Sequence, residues 1–233
     1  SSIDRRDPMQ AYTEAQSIKE ENLQRFNAGL SSLEERADVD SMYWQVCRRL
    51  LRVLMDDDGL PDERRNIQRQ LADTYFCNFS LFQSAPDSWA IDQLFPVMPI
   101  HRLDEEPTRR AVLTDLTCDS DGKIDRFIDA RDVKSVLEVH EMNGQPYYLA
   151  IFLLGAYQEI LGDLHNLFGD TNAVHVASSD NARGYRIRHL VEGDSVREVL
   201  SYVQYERDHL MAKLRRALEE AYVDELRSLL GRR

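Results

Sequence analysis

The sequence predicts an α+β fold: a helical segment, then a mostly antiparallel β domain of barrel- or sandwich-like character, then C-terminal helices. Three observations carry this expectation. Apolar residues recur at three- and four-residue steps across residues 8–72. At Thr74 the texture changes to short aromatic and β-branched runs broken by Pro, Gly and Asn. From Ser195 onward helical spacing returns. Strands and helices do not alternate, so a parallel βαβ sheet is not expected. The boundaries implied are a helical, insertion-like segment at 1–72, a β domain at 73–192 and a helical segment at 193–233.

In chain order, Leu23, Phe26, Leu30 and Leu33 make one apolar helical stripe. Tyr43, Val46, Cys47, Leu50, Leu51 and Leu54 make a second, starting at Asp40-Ser41 and stopped by Asp58-Gly59-Leu60-Pro61. A third helix runs from about Asp62 to Ala72, with Pro-Asp-Glu as a favourable first turn. Tyr75 to Phe82 is aromatic-rich and short, as strands are. Pro86, Pro96 and Pro99 punctuate an extended stretch through Leu103. Ala111 to Leu116 reads as a buried strand. Val133 to Val139 and Tyr147 to Leu154 are two more, with Asn143-Gly144 as a hairpin signal between them. Tyr157 to Phe168 takes helical spacing through Ile160, Leu161, Leu164 and Leu167. Ala173 to Val176 and Tyr185 to Val191 form a hairpin around Asp180-Asn181. Asp194 or Ser195 caps the helical tail.

Composition narrows the function classes. The 233 residues are 42% hydrophobic and 30% charged, enough for one large or two small domains with a core. A formal net charge of -12 disfavours a phosphate backbone as partner, so no nucleic acid is expected. Three cysteines without CxxC spacing argue against a disulfide framework or a zinc site, and point to a reducing cytoplasm. No signal peptide is read, and the longest apolar run, Tyr147 to Ala156, is too short to span a bilayer. His101, His140, His165, His175, His189 and His209 show no metal-ligand spacing and read as structural.

The chemistry concentrates at 113–125, Leu-Thr-Asp-Leu-Thr-Cys-Asp-Ser-Asp-Gly-Lys-Ile-Asp. A run of small polar residues after a strand makes a tight loop, and sites sit on such loops. Among carboxylates a thiol is favoured over a thiolate, which suits Cys118 as a proton donor rather than a resting nucleophile. A buried structural cysteine is the plain alternative. A calcium loop through Asp119-Ser120-Asp121-Gly122 lacks the helix and distal glutamate of an EF-hand. Gly155-Ala156-Tyr157-Gln158 follows an apolar strand, where a tyrosine is ordinarily a half-buried core residue.

Thr-Cys-Asp-Ser-Asp-Gly and Gly-Ala-Tyr together resemble the motifs of the biosynthetic, pyridoxal-phosphate-dependent arginine decarboxylases, within the group that includes ornithine and diaminopimelate decarboxylases. The segment Asp87 to Leu103, the run Glu159-Ile160-Leu161-Gly162-Asp163-Leu164-His165-Asn166-Leu167-Phe168-Gly169-Asp170-Thr171-Asn172, Tyr43-Trp44-Gln45-Val46-Cys47 and Asp7-Pro8-Met9-Gln10-Ala11-Tyr12 extend the likeness along nearly the whole chain. The far C-terminus after about Glu220 departs from it. The resemblance implies that Cys118 reprotonates the substrate carbon after carbon dioxide leaves. It implies that Asp119 selects the distal end of the substrate, with Asp121 and Asp92 as further substrate-facing carboxylates. For Asp92 a structural role, capping or pairing with Arg102, stands equally open. It implies that the Tyr157 hydroxyl contacts the cofactor phosphate, and that the Cys118 loop reaches across a dimer interface into the neighbour's site. Implied with these are L-arginine as small-molecule substrate, pyridoxal 5'-phosphate as cofactor, Mg2+ by family likeness alone, a homodimer or higher assembly, and no membrane. No segment matches the barrel with the cofactor lysine, so the likeness is to a C-terminal part. The readings left open are decarboxylation of ornithine, lysine or diaminopimelate, and a non-catalytic regulatory or scaffold role.

Overall fold

In a computed structural model of the chain, residues 8–55, 61–130, 132–162, 164 and 166–230 are described. The stop read at Asp58-Gly59-Leu60 lies outside these residues, as do Asp7, Asp163 and His165. The elements in order are α1 (Pro8–Asn27), α2 (Leu33–Met55), α3 (Pro61–Gln70), β1 (Asp73–Phe76), α4 (Leu81–Ser84), α5 (Pro86–Ala90), β2 (Val97–Pro99), β3 (Arg109–Thr114), β4 (Lys123–Ile124), β5 (Phe127–Ile128), β6 (Val133–Lys134), β7 (Leu137–Val139), β8 (Leu149–Ile151), β9 (Ala173–Ser178), β10 (Tyr185–Val191), α6 (Val196–Tyr202) and α7 (Arg207–Leu230). The class is α+β, with helices at both ends of a β region made of small sheets. No helix among the described residues is long and apolar enough to cross a membrane.

The chain forms two compact units. One comprises Ser1–Tyr75, Leu94–Leu113 and Ile124–Leu153; the other comprises Phe76–Gln93, Thr114–Lys123 and Leu154–Arg233.

In the first unit the stripe of α2 does what its spacing predicts. Tyr43, Cys47, Leu50 and Leu54 are buried with Tyr12 of α1 and Ile67 of α3. Burying each large aliphatic side chain contributes roughly 1.5–3 kcal/mol. The two buried phenols are satisfied: the Tyr43 hydroxyl donates to Gln70 Oε1 at 2.7 Å, and Gln70 Nε2 donates to the Tyr12 oxygen at 2.6 Å. Lys19 lies over the Tyr43 ring at 4.4 Å and the Trp44 ring at 4.6 Å.

Two helix readings are corrected. Leu23, Phe26, Leu30 and Leu33 are not one face of one helix: α1 ends at Asn27, and Leu30 and Leu33 are exposed. The start of α2 is Ser32, not Asp40-Ser41. Glu35 N–H donates to Ser32 Oγ at 3.1 Å, and Ser32 N–H donates to Glu35 Oε2 at 2.9 Å, a reciprocal capping box. Asp40 sits inside α2 and pairs with Lys19 and Arg36.

The β region is shorter-stranded than its sequence suggests. β1, β3, β4 and β7 make a four-stranded sheet, and β2–β8, β5–β6 and β9–β10 are two-stranded. The run read as a strand from Tyr75 to Phe82 leaves the sheet after Phe76 and turns into α4. The extended stretch begun at Pro86 is instead the short helix α5, followed by β2. The run from Val133 to Val139 is split into β6 and β7, and that from Tyr147 to Leu154 is cut to β8. Asn143-Gly144 does turn, with Gln145 N–H on Asn143 Oδ1 at 3.1 Å, but closes no hairpin. β7 pairs antiparallel with β3, and β8 with β2. The distant pairing puts Leu137 and Val139 under cover beside Ala111, a burial that a local hairpin does not provide.

In the second unit the β9–β10 hairpin forms as expected, from Tyr185 opposite Ser178 to Val191 opposite Ala173. Ser195 caps α6 through a capping box with Glu198. Among the described residues the helix expected over Tyr157 to Phe168 is absent. Residues 156–161 are turns, and Ile160, Leu161, Leu164 and Leu167 are exposed.

Candidate active site

The loop that carries Cys118 leaves β3 at Asp115 and returns to β4 at Lys123. Its base is closed by Asp115 N–H donating to Gly122 O at 2.7 Å. Asp115 is 3% exposed, and its carboxylate accepts three hydrogen bonds. Oδ1 takes the Thr117 N–H at 2.9 Å and the Thr117 hydroxyl at 2.8 Å; Oδ2 takes the Leu81 N–H at 2.9 Å. Gly122 is required here, since a Cβ would lie 2.2 Å from Asp115 Oδ1. Further along, Asp119 N–H donates to Thr117 Oγ1 at 3.3 Å and Asp121 N–H to Asp119 Oδ1 at 2.9 Å. The loop is thus a chain of short side-chain-to-backbone turns of the kind Asp and Thr favour.

At the tip Cys118, Asp119 and Asp121 are all exposed. Among the described residues neither the Cys118 thiol nor the Asp121 carboxylate has a hydrogen-bond partner. Cys118 is therefore not the buried structural cysteine of the plain reading. The other two cysteines differ. Burial raises the Cys47 thiol and pushes Cys77 up to about 11.

Tyr157 follows Gly155-Ala156 on a tight turn, at φ 73, with its side chain 67% exposed. A left-handed conformation is costly for a residue with a Cβ and persists only where neighbours enforce it. The next residue, Gln158, is held firmly. It is 4% exposed, donates Nε2 to Asp87 Oδ2 at 2.7 Å and accepts Asp87 N–H at 3.3 Å. The Gln158 carbonyl takes Gly162 N–H at 2.8 Å, and Gly162 fits so closely that a Cβ would lie 1.9 Å from Gln83 O. Asp92 is exposed and left-handed at φ 57, just past α5. Arg102, its proposed partner, bonds Glu105 and the Glu141 carbonyl.

All five residues read from the sequence thus lie in the second unit, on three separate segments. No hydrogen bond among the described residues joins Cys118 or Asp119 to Tyr157. What ties two of the segments together is residues 80–87, spanning α4 and the start of α5. Leu81 bonds Asp115, and Asp87 bonds Gln158. Ser80 Oγ accepts from Asn166 at 2.6 Å and Gln83 donates to Asp170 at 2.7 Å. Ser80, Leu81, Gln83 and Ser84 are buried. This hub was missed because its aromatic flank reads as a strand. The available signals were Gly122 and Gly162, each pressed against an anchor.

In the first unit a cavity of about 300 Å³ is lined by Arg102, Glu105, Glu141 and Tyr147 among others; none of the five residues lines it. Among the described residues no group of three His, Cys, Asp or Glu side chains could hold a metal ion. His140 is buried and bonded to Tyr147 and the Glu105 carbonyl, and His175 and His189 stack edge to face across β9 and β10.

Residues 1–69 match the arginine decarboxylase helical bundle domain, and residues 196–231 match the arginine decarboxylase C-terminal helical extension. The chain is 54% identical over 94% of its length to a biosynthetic arginine decarboxylase of Nostoc, covering 32% of that protein. It is 53% identical over 91% of its length to one from Bacteroides thetaiotaomicron, covering 34% of it. The crystal structure of the biosynthetic arginine decarboxylase of Campylobacter jejuni superposes with a TM-score of 0.65 at 30% identity, over 94% of this chain and 37% of that one. The chain spans about a third of the length of the curated relatives it matches.

Proposed function

We propose, from the premise that this chain belongs to the biosynthetic arginine decarboxylases as a C-terminal portion, that in the complete enzyme it supplies the proton donor and the substrate-selecting carboxylate for converting L-arginine to agmatine and carbon dioxide on the route to polyamines. The observation that carries this is the Cys118-Asp119 pair, exposed at the tip of a loop whose base is anchored on both sides.

The division of labour follows from the side chains. Arginine ends in a planar fork of donors, and a carboxylate is its matched acceptor; Asp119 keeps one oxygen for that role while Oδ1 holds Asp121. Asp121, exposed at the same tip, is a second carboxylate for that cation, and Asp92 enters this reading through the family likeness. Cys118 gives its S–H proton to the substrate carbon after carbon dioxide leaves. The S–H bond breaks, a C–H bond forms, and the thiolate is reprotonated from solvent. The exposed Tyr157 phenol is a fitting donor to a phosphate oxygen of the cofactor. Pyridoxal phosphate, when bound, supplies the electron sink that makes loss of carbon dioxide feasible. Mg2+ enters this reading through family likeness alone, and no step uses it.

The lysine that binds the cofactor is assigned to none of this chain's lysines. Lys19 is engaged by Tyr43, Trp44 and Asp40, and Lys134 by Glu138. By itself the chain is therefore expected to be inactive. In a homodimer or larger assembly Cys118 and Asp119 serve one active site and Tyr157 the other. The setting is the cytoplasm, where an exposed thiol stays reduced.

The test is Asp119→Asn in the complete enzyme. The expected result is agmatine as the product of the parent enzyme, a rise in KM for arginine of at least about tenfold in the variant, and unchanged retention of pyridoxal phosphate. Preferred turnover of ornithine, lysine or diaminopimelate by the parent, or an unaltered KM in the variant, contradicts the proposal.

A further inference from the structure

We infer that Asp115, which touches no substrate in this reading, is the positioning residue that sets where Cys118 and Asp119 stand. The inference rests on the reading of Cys118 as the proton donor and deepens it.

A buried carboxylate is unfavourable unless its oxygens are hydrogen-bonded. Asp115 carries no ion pair among the described residues; three donors converge on it instead. Two belong to Thr117, the residue before Cys118, and the third is the Leu81 N–H at the start of α4. Oδ1 therefore shapes the loop from inside, and Oδ2 fastens it to the buried 80–87 segment. The Asp115 N–H adds the bond to Gly122 that closes the loop, and the carboxylate lies where a Cβ at Gly122 would stand, so only glycine at 122 leaves it this place. A ring of donors with no acceptor calls for an acceptor-only side chain. Asparagine, of nearly the same shape, turns an NH2 toward either Leu81 N–H or Thr117, donor against donor. One choice releases the loop from α4; the other opens the Thr117 turn. Thr117 relays the position onward, since its Oγ1 accepts the Asp119 N–H. Misplacing a reacting group by about 1 Å costs up to about 10²-fold in rate.

The experiment compares Asp115→Asn, Thr117→Val, Thr117→Ser and Cys118→Ala in the complete enzyme. Four quantities are read: kcat, KM, the fraction of turnovers ending in a product other than agmatine, and the alkylation rate of Cys118 without substrate. Asp115→Asn is expected to lower kcat by at least about tenfold, to shift the product fraction in the direction Cys118→Ala does, and to change the alkylation rate. Thr117→Val follows it in weaker form, and Thr117→Ser, which keeps the hydroxyl, restores the parent's product ratio. A lower yield of folded enzyme with an unchanged product ratio and alkylation rate assigns Asp115 to stability alone and overturns the inference. So does a kcat within about twofold of the parent in both Asp115→Asn and Thr117→Val, provided Cys118→Ala shifts the products. If Cys118→Ala itself leaves rate and products unchanged, the proton-donor reading fails, and the inference falls with it.

Discussion

Leu50 and Asp115 are both almost wholly buried, at 0% and 3% exposure, yet the regions around them are held in opposite ways. Leu50 belongs to an apolar cluster built from α1, α2 and α3, where contact area is the stabilising force and direction matters little. Asp115 belongs to a set of loops held by single directed hydrogen bonds from Leu81, Thr117, Gln158 and Asp87. The first region is a scaffold in which lost volume shows as lost stability. In the second, the anchors hold the loops that carry the exposed side chains, and loss of an anchor is expected to redirect such a side chain rather than unfold its surroundings.

The comparison is sharpened most strongly by Leu50→Ala. Truncating a fully buried leucine is expected to cost about 2–5 kcal/mol, read as a lowered denaturant midpoint. At temperatures where the variant remains folded, kcat per folded molecule should match the parent. A comparable fall in kcat would mean that the apolar scaffold and the site loops are one energetic unit. A smaller effect separates the thiols. Cys118 should react with an alkylating reagent at the rate of an open thiol. Cys47, 0% exposed and raised by burial, should be slower by at least about tenfold, because it reacts only through opening. Equal rates would place Cys118 under cover or Cys47 in an unstable region.

The smallest effect is in pH. Glu35 is held below the ordinary carboxylate range first by the Ser32 backbone N–H and then by Ser31. Glu198 is held there first by the Ser195 hydroxyl and then by its N–H. A depressed folded value means the stabilisation is present above the unfolded value near 4.5 and is lost as pH falls through the folded one. Acidification below that value should therefore fray the starts of α2 and α6 slightly. Amide exchange at Ser32 and Ser195, whose N–H groups donate to these carboxylates, reads this, and exchange indifferent to pH in that window, after correction for intrinsic rate, would remove the caps from the account.

The same contrast explains what could be read in the sequence. Periodicity marks area, so Tyr43, Cys47, Leu50 and Leu54 announced the α2 core directly. The β9–β10 hairpin and the Ser195 cap were legible because turn and cap chemistry is local. The start of α2 was also written locally, as Ser32 and Glu35, but Asp40-Ser41 offered a competing cap that the structure uses as an ion-pair site. Where periodicity misled, directed bonds or distant pairings had prevailed. Ile160, Leu161, Leu164 and Leu167 have helical spacing, yet Gly162 is pinned against the Gln83 carbonyl and the stripe lies exposed. Tyr75 to Phe82 reads as a strand, yet its second half turns inward so that Ser80 and Leu81 can hold Asn166 and Asp115. Cys118, Asp119 and Tyr157 were singled out as candidates because their motifs are chemically distinctive, and the structure shows all three exposed. Asp115 and Gln158, one residue or a few away, were not assigned as anchors, because an anchor is defined by what it bonds across the chain and not by its neighbours in sequence.

The central proposal is that in the complete enzyme the Cys118 thiol delivers the proton that turns decarboxylated arginine into agmatine. Its most direct test is product analysis of the complete enzyme carrying Cys118→Ala, with arginine in deuterated water. The account predicts retained binding of substrate and cofactor, a loss of about 10²–10⁴-fold in agmatine formation, and a measurable share of turnovers ending in another product. Agmatine as the sole product, formed at a rate within about tenfold of the parent, would contradict it and return Cys118 to a role in the loop's structure alone.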